Sequence, residues 1–394
     1  MTAVLLTVQL VIVVTVTALM WLLPRTSRDT LPFGVRVPPG RTADPAITAA
    51  TRGYRAAVLC VSLLSVVASA VLWPLMSAET AMSGGAALLV AGGIGAYAGA
   101  HRTVRRAKDR EHWYAGLREG VAVDTGLRTD PVRVPWLWSL PSLVVIAVVA
   151  ITGAVLYPGL PERLVISVRY HEGGTDYSTA ATTVGSAFAL VIIQVLVTAL
   201  LLLILRFSVR ARADIDAANP RESAERHRRF LRIWAYCLLA TVFALNVAFG
   251  GLALIIWTGS LASAGPAVAA VVIVPLLTGA ALLTGAGLLI GQSGWRMRDG
   301  TGEDTGFVQR DDDRYWHLAG TVYINRADPA ILLPKRAAGL GWTVNLGRPA
   351  IWLVLGLTLG ALAALAVVIV FGLSGDLETT QYGWQFGAGP LGPE

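Results

Sequence analysis

Apolar residues in this chain run in long blocks, separated by stretches that are either very short or strongly charged. Eight blocks come near the roughly 20 residues a helix needs to cross a hydrocarbon layer of about 30 Å. They are Val4 to Leu23, Ala56 to Met76, Ala81 to Ala100, Trp136 to Leu156, Ala181 to Leu205, Ile233 to Trp257, Ala267 to Ile290 and Ala350 to Leu373, and none contains Asp, Glu, Lys, Arg or His. The first block has no basic leader and no small-residue cleavage site before Pro24, so it reads as a retained helix rather than a signal peptide. The pattern predicts an all-α polytopic membrane protein of eight transmembrane helices.

Charge gives the orientation. Lys and Arg number 6 in residues 24–55, 8 in 101–135, 8 in 206–232 and 8 in 291–349, whereas the other connections carry only Arg163 and Arg169. The positive-inside rule then places these four loops in the cytoplasm and both termini outside. The formal net charge of +7 is thereby a topology signal, and the lipid bilayer rather than nucleic acid is the expected partner of the basic loops. Composition agrees: 55% hydrophobic and 14% charged residues exclude an ordinary soluble domain. Cys60 and Cys237 each sit near the start of an apolar block, which provides neither a disulfide framework nor a CxxC pair.

The spans divide the chain into a first four-helix half (1–156), an outer loop (157–180), helices five to seven (181–290), a cytoplasmic subdomain (291–349) and a last helix with its outer tail (350–394). Both halves cross in the same order, as parallel repeats would. Trp21, Trp73, Trp136, Trp138, Trp234, Trp257, Trp295 and Trp352 fall at or beside helix ends, where an interfacial aromatic belt belongs. The GxxxG pairs Gly95/Gly99, Gly287/Gly291 and Gly356/Gly360 suit close helix packing, and Gln194 and Asn246 suit hydrogen bonds between helices.

The loops differ in content. Leu31 to Gly40 is rich in Pro and Gly and reads as a fixed, extended segment with Arg36 and Arg41 toward anionic headgroups. A short helix is expected from Asp44-Pro45 to Tyr54, and two helical extensions around Asn219-Pro220, with Arg226, Arg228, Arg229 and Arg232 toward lipid. Residues 299–313 are polar and acidic and read as flexible, with Asp311, Asp312 and Asp313 solvated. From Tyr315 to Leu346, short β-strands alternate with Gly, Pro and Asp turns, giving a small β-containing cytoplasmic insertion between helices seven and eight. Arg36, Trp316, Pro334, Lys335, Arg336, Trp342 and Asn345 are the candidate residues for docking a partner. Outside, His171, Glu172 and Asp176 fit turn caps and arginine partners better than a metal site.

HExxH, GxSxG, Walker A, CxxC and dinucleotide fingerprints are all missing from the sequence, so it offers no catalytic, cofactor-binding or metal-ligating residue, and an enzyme is not expected. Spans without acids or bases also speak against an ion-coupled pump.

Tyr157-Pro158-Gly159-Leu160-Pro161, followed by Gly173-Gly174-Thr175-Asp176, resembles the Tyr-Pro-x-Leu-Pro and Gly-x-x-Asp signature of the SdpI-type bacterial membrane proteins. Phe33 to Pro38 and Trp316 to Gly347 resemble segments of that family's larger members. Leu164 to Ser167 stands where the family has Ile-Pro-x-His, so Leu160, Pro161, Gly173 and Asp176 are the positions that carry over. The resemblance implies a protein of the bacterial cytoplasmic membrane that confers immunity to a secreted peptide. It also implies signalling through a cytoplasmic transcriptional regulator held at the membrane. A permease or efflux component for an amphipathic molecule is the second expectation, and a lipid-modifying enzyme the third.

Overall fold

The computed structural model describes residues 2–76, 78–124, 126–171, 174–262, 265–297, 304–337, 341–356, 359–360, 363 and 378–383. It is mostly helical, and its long helices follow the apolar blocks. They are α1 (Thr2–Thr26), α2 (Pro45–Leu72), α3 (Ala78–Arg110), α4 (Leu140–Leu156), α5 (Ala189–Ser208), α6 (Pro220–Trp257) and α7 (Gly265–Leu289). Residues 349–356 open a further helix, α8. Six helical segments are long and apolar enough to cross a membrane: Pro45–Leu72, Thr80–Arg110, Trp136–Gly159, Ala189–Ser208, Pro220–Trp257 and Ala270–Gly294. Helices satisfy their own backbone groups in lipid, so these segments mark a multi-pass membrane protein. In α1, the segment Ile12–Thr26 is apolar but shorter.

Local sequence sets the helix starts. Asp44 caps α2 by accepting from the Ala46 N–H, with Pro45 in the first turn, where it forfeits no hydrogen bond. The stretch to Tyr54 is thus the first part of α2 itself, not a separate short helix. Pro220 starts α6 in the same way, with Glu222 in its first turn. Residues 209–219 before it are not helical, so one extension replaces the expected two.

The helices form two packed sets. Helix α2 lies along α3 with α1 against both, while α6 is the hub for α4, α5 and α7. The packing boundary therefore falls between α3 and α4, whereas the sequence division put it after the fourth span. Between α5 and α6, Gln194 Nε2 donates to the Asn246 carbonyl at 2.8 Å, and Asn246 Nδ2 donates to Thr198 Oγ1 at 2.8 Å. These are the interhelical bonds expected of the two amides. Close approach depends on glycines outside the Gly95/Gly99 pair: a Cβ at Gly85, Gly92 or Gly251 would collide with Ser69, Val61 or Val271, while among the described residues Gly95 and Gly99 face open space. Trp234 and Trp257, two of the tryptophans near helix ends, pack inward. Both are buried, their indole N–H groups donating to Ser208 Oγ and to the Ala187 carbonyl.

The two ends of the bundle differ. At one end, the segment after α4 forms a hairpin of β2 (Arg163–His171) and β3 (Gly174–Ala181). The tail strand β9 (Glu378–Gly383) adds to β3, making an antiparallel three-stranded sheet in the order β2-β3-β9. At the other end, four loops converge. Strand β1 (Glu119–Gly120) pairs in parallel with β4 (Val308–Gln309), β5 (Trp316–His317) pairs with β6 (Val322–Tyr323), and β7 (Leu332–Pro334) pairs with β8 (Trp342–Val344). The expected β-containing insertion is present, but the other three loops are built into it. The Arg212 N–H donates to the Leu332 carbonyl, and the Ala217 N–H to Gln309 Oε1.

Asn345 pins this assembly. Its side chain is fully buried. Its Nδ2 donates to the carbonyls of Asn325, Asp328 and Ala330 at 2.8 to 3.1 Å, and its Oδ1 accepts from the Asn325 and Gly347 N–H groups at 3.0 Å. Asn345→Ala leaves these groups without partners, and the expected loss is about 3 kcal/mol or more. Thermal unfolding of the purified variant, with limited proteolysis of residues 304–337, reads that loss. Asn345→Asp is expected to do no better, because three carbonyls require a donor.

Candidate functional site

The loop-rich end holds a buried network of ions. Arg36 lies in the loop between α1 and α2, Lys108 in the last turn of α3, Asp214 between α5 and α6, and Asp311, Asp312, Asp313 and Arg336 in the loop after α7. Asp313 accepts from the Arg36 backbone N–H at 3.1 Å, from Lys108 Nζ at 2.6 Å and from Arg336 Nη1 at 2.5 Å. Asp312 pairs with Arg336 Nη2 and meets Arg36 Nε at 3.4 Å. Asp311 meets Lys108 Nζ at 2.7 Å, and Asp214 takes Arg28 at 3.0 Å and Arg36 at 3.5 Å. Four cations thus face four carboxylates.

The arginine and lysine side chains at its centre are 6% (Arg36), 5% (Lys108) and 2% (Arg336) exposed. Aromatic faces cover them: Arg336 stands 4.7 Å over the Trp316 ring and Lys108 is 4.9 Å from Tyr114. Burial opposes ionisation of Asp214, but Arg36 and Arg28 outweigh it and hold its pKa well below the usual carboxylate range. Asp313 shifts the other way, because burial pushes its pKa up against the pull of Lys108. The network is a self-neutralising joint that binds the loop of the α1–α3 set to loops of the α4–α7 set.

Backbone contact reinforces it. Gly34 and Gly320 both have positive φ, +78° and +83°, and a Cβ on Gly320 would sit 3.1 Å from the Gly34 Cα. Any side chain at either position would both strain the backbone and part the two loops. Around this contact Phe33 packs edge-on against Tyr54 and Tyr97 at 5.5 and 5.4 Å, and the Phe33 carbonyl meets His101 Nδ1 at 2.8 Å.

Several sequence expectations change here. Asp311, Asp312 and Asp313 are not a solvated run but the acids of the joint, since Arg36 and Lys108 reach them from other connections and Arg336 from further along their own loop. Arg36 faces carboxylates rather than headgroups, and Arg41 pairs with Asp44 beside Trp113. Arg226 is buried against Glu222 at 2.6 Å instead of facing lipid, and Arg228 reaches Asp124 and Asp130. Of the candidate docking residues, Arg36, Trp316, Arg336 and Asn345 are buried in the assembly, while Pro334, Lys335 and Trp342 are half-buried. Trp342 packs on Trp234 and Phe230 of α6, and burial pushes the Lys335 pKa down. The sequence reading missed Lys108, Asp214, Gly34 and Gly320, and no local pattern marks them.

At the other end, Tyr157 and Pro158 form a 3-10 turn that closes α4, with the Tyr157 ring 6.1 Å from Phe188. Leu160 packs beside Trp257 and Val149, and the Pro161 carbonyl accepts from Thr182 Oγ1. Asp176 is in β3 opposite Arg169 and Gln381, its side chain outside the described residues, and Gly173 lies outside them altogether. The His171 side chain and all of Glu172 likewise lie outside the described residues. Among the described residues, no group of three His, Cys, Asp or Glu side chains is placed to hold a metal ion.

Residues 326–352 match a family of unknown function, DUF5808. That stretch spans Pro334-Lys335-Arg336 and Gly341 to Gly347, and so includes Arg336 of the joint and the Asn345 pin. No curated protein and no solved structure matches the chain.

Arg336→Gln takes a counter-ion from both Asp312 and Asp313 at the centre of the joint, for which about 3 kcal/mol of destabilisation is expected. Adding Asp313→Asn should recover part of that loss, because it removes one of the stranded charges. A double-mutant cycle in thermal unfolding, run on the purified protein, measures both; strictly additive losses would argue against the network.

Proposed function

We propose that this protein is a membrane sensor whose three-stranded sheet meets an extracytoplasmic agent and whose four convergent loops engage a cytoplasmic regulator. The observation that carries the reading is the ion joint. It links the two helix sets at the loop-rich end, so any displacement of one set against the other bears directly on those loops. The resemblance of Tyr157 to Pro161 and of Asp176 to the SdpI-type signature supports the same assignment, with immunity to a secreted peptide as its physiological form in a bacterial cytoplasmic membrane.

The reading includes eight crossings with both termini outside. In its support, β9 pairs with β3 at the sheet end, whereas residues up to Leu346 belong to the loop-rich end, an arrangement that suits a further crossing after Leu346. The basic loops supply the direction. In a chain with Cys60 and Cys237 replaced by Ser, a membrane-impermeant maleimide applied to intact cells is expected to label Thr2→Cys and Glu394→Cys. It should spare Asp29→Cys and Arg310→Cys; the reverse pattern would invert the topology.

Crosslinking in the native host followed by mass spectrometry tests the output. Wild-type protein is expected to retain a soluble DNA-binding regulator, and Arg336→Gln, inserted to equal levels, to lose it. Failure of the wild type to retain any soluble partner would overturn the signalling reading. A second reading, passage of an amphipathic molecule, has one observation in its favour: a groove of about 500 Å³ between α1 and α2, lined by residues including Val13, Thr17, Trp21, Ser62 and Val66. Flux in reconstituted vesicles separates the two, since a sensor moves nothing.

A further inference from the structure

The two ends of the segment 326–352 close on each other at the mouth of α8. They enclose a pocket of about 420 Å³ lined by Arg326, Leu346, Gly347, Arg348, Pro349 and Trp352. The closure is fixed by the fold. The Asn345 side chain ties Asn325 to Gly347, the Leu346 N–H donates to the Tyr323 carbonyl, and the Arg348 N–H returns to the Asn345 carbonyl at 3.0 Å. Gly347 makes the approach possible, because a Cβ there would lie 2.7 to 2.9 Å from the backbone of Asn325 and Arg326. The positions of both arginine backbones are therefore set before any ligand arrives.

The chemistry of the lining is one-sided. Two arginines, Arg326 and Arg348, line the pocket, and neither has a carboxylate partner among the described residues. Asp328, the acid nearest to Arg326 in sequence, is already engaged by Arg212 and by the Tyr323 hydroxyl. The joint described above neutralises its own charges, whereas this pair of arginines keeps a net positive charge. Trp352 stands at the first turn of α8, its indole N–H on the Leu346 carbonyl at 3.0 Å and its ring largely exposed. An amphipathic ring at the start of an apolar helix is the usual companion of the headgroup layer.

We propose that this pocket is a phosphate-binding site, with Arg326 and Arg348 as the two forks that hold the phosphate oxygens. Guanidinium matches phosphate by paired N–H donors, and two such groups with no competing acid favour an anion over a zwitterion. The position beside a membrane-entering helix makes an anionic phospholipid the first source of that phosphate; a soluble phosphate would offer the same oxygens. The choice of a lipid rests on the eighth crossing proposed above, whereas the pairing of the two arginines with phosphate does not.

The test uses the full chain, purified in mild detergent and titrated with short-chain phosphatidylglycerol, short-chain phosphatidylcholine or sodium phosphate at constant ionic strength, with thermal stability as readout. Wild-type protein is expected to bind phosphatidylglycerol about tenfold more tightly than phosphatidylcholine, a preference typical of charge-assisted pairing. Arg326→Gln with Arg348→Gln should abolish the preference, and the corresponding double Lys variant should keep part of it. Arg102→Gln, at an exposed position on α3, controls for general surface charge and should change nothing. If sodium phosphate displaces the lipid at millimolar concentration, the site takes a soluble phosphate; if it does not, the lipid is the ligand. Equal binding of the two lipids by the wild type, or an unchanged preference in the double Gln variant, would overturn the proposal.

Discussion

The architecture depends on neutralising charges that have been taken out of water. Arg36, Lys108 and Arg336 are nearly inaccessible, and Arg36 and Lys108 depend on carboxylates that their own connections do not provide. Asp313 meets Lys108, Arg336 and the Arg36 backbone N–H, and Asp311, Asp312 and Asp214 complete the set. Because the partners come from separate connections, the loops can bury their polar groups only together. The Gly34 and Gly320 backbones meet where any side chain would intervene, and Asn345 satisfies five groups that would otherwise be orphaned.

Such a joint is a poor source of net stability and a demanding one for geometry. Desolvation offsets most of the attraction in a buried ion pair, yet removing one partner is costly. Specificity is what it contributes: a four-cation, four-carboxylate arrangement has one complete pairing, and a slip of one loop leaves charges exposed to each other without compensation. Inside the helices the same principle operates with neutral groups. Gln194, Asn246 and Thr198 fix α5 against α6 with hydrogen bonds from side-chain amides, where ionised groups would be prohibitive.

How much of this was legible from the sequence follows from how local each cause is. The apolar blocks located the long helices because spanning is a property of about 20 consecutive residues. The β character of Tyr315 to Leu346 was legible from its turns, and the roles of Gln194 and Asn246 from their isolation in apolar surroundings. The acid run Asp311 to Asp313 was misread as solvated because its partners Lys108 and Arg36 lie more than 200 positions away in the numbering, and no local pattern joins them. Gly95 and Gly99 matched a packing motif yet face open space, while Gly85, Gly92 and Gly251 make the close contacts without one. Spacing tells which residues share a helix face, not which face meets a neighbour. The closure of the sheet by β9 was equally invisible, since it pairs residues about 200 positions apart.

The ion joint and the arginine pocket divide the work of charge at one end of the molecule. In the joint, every charge has a counter-charge within the chain, so the loops are held in a single arrangement and respond as a body. At the pocket, Asn345 places two arginines beside Gly347 and supplies no acid, so the counter-charge has to come from outside. Residues 326–352 belong to both: Arg336 enters the joint, while Arg326, Arg348 and Trp352 form the pocket. Whatever occupies the pocket therefore contacts the same segment that ties the two helix sets together. Free energy of binding there bears on the position of α8 and on the loop assembly at once, because Asn345 lies between them and admits no partial satisfaction of its five partners.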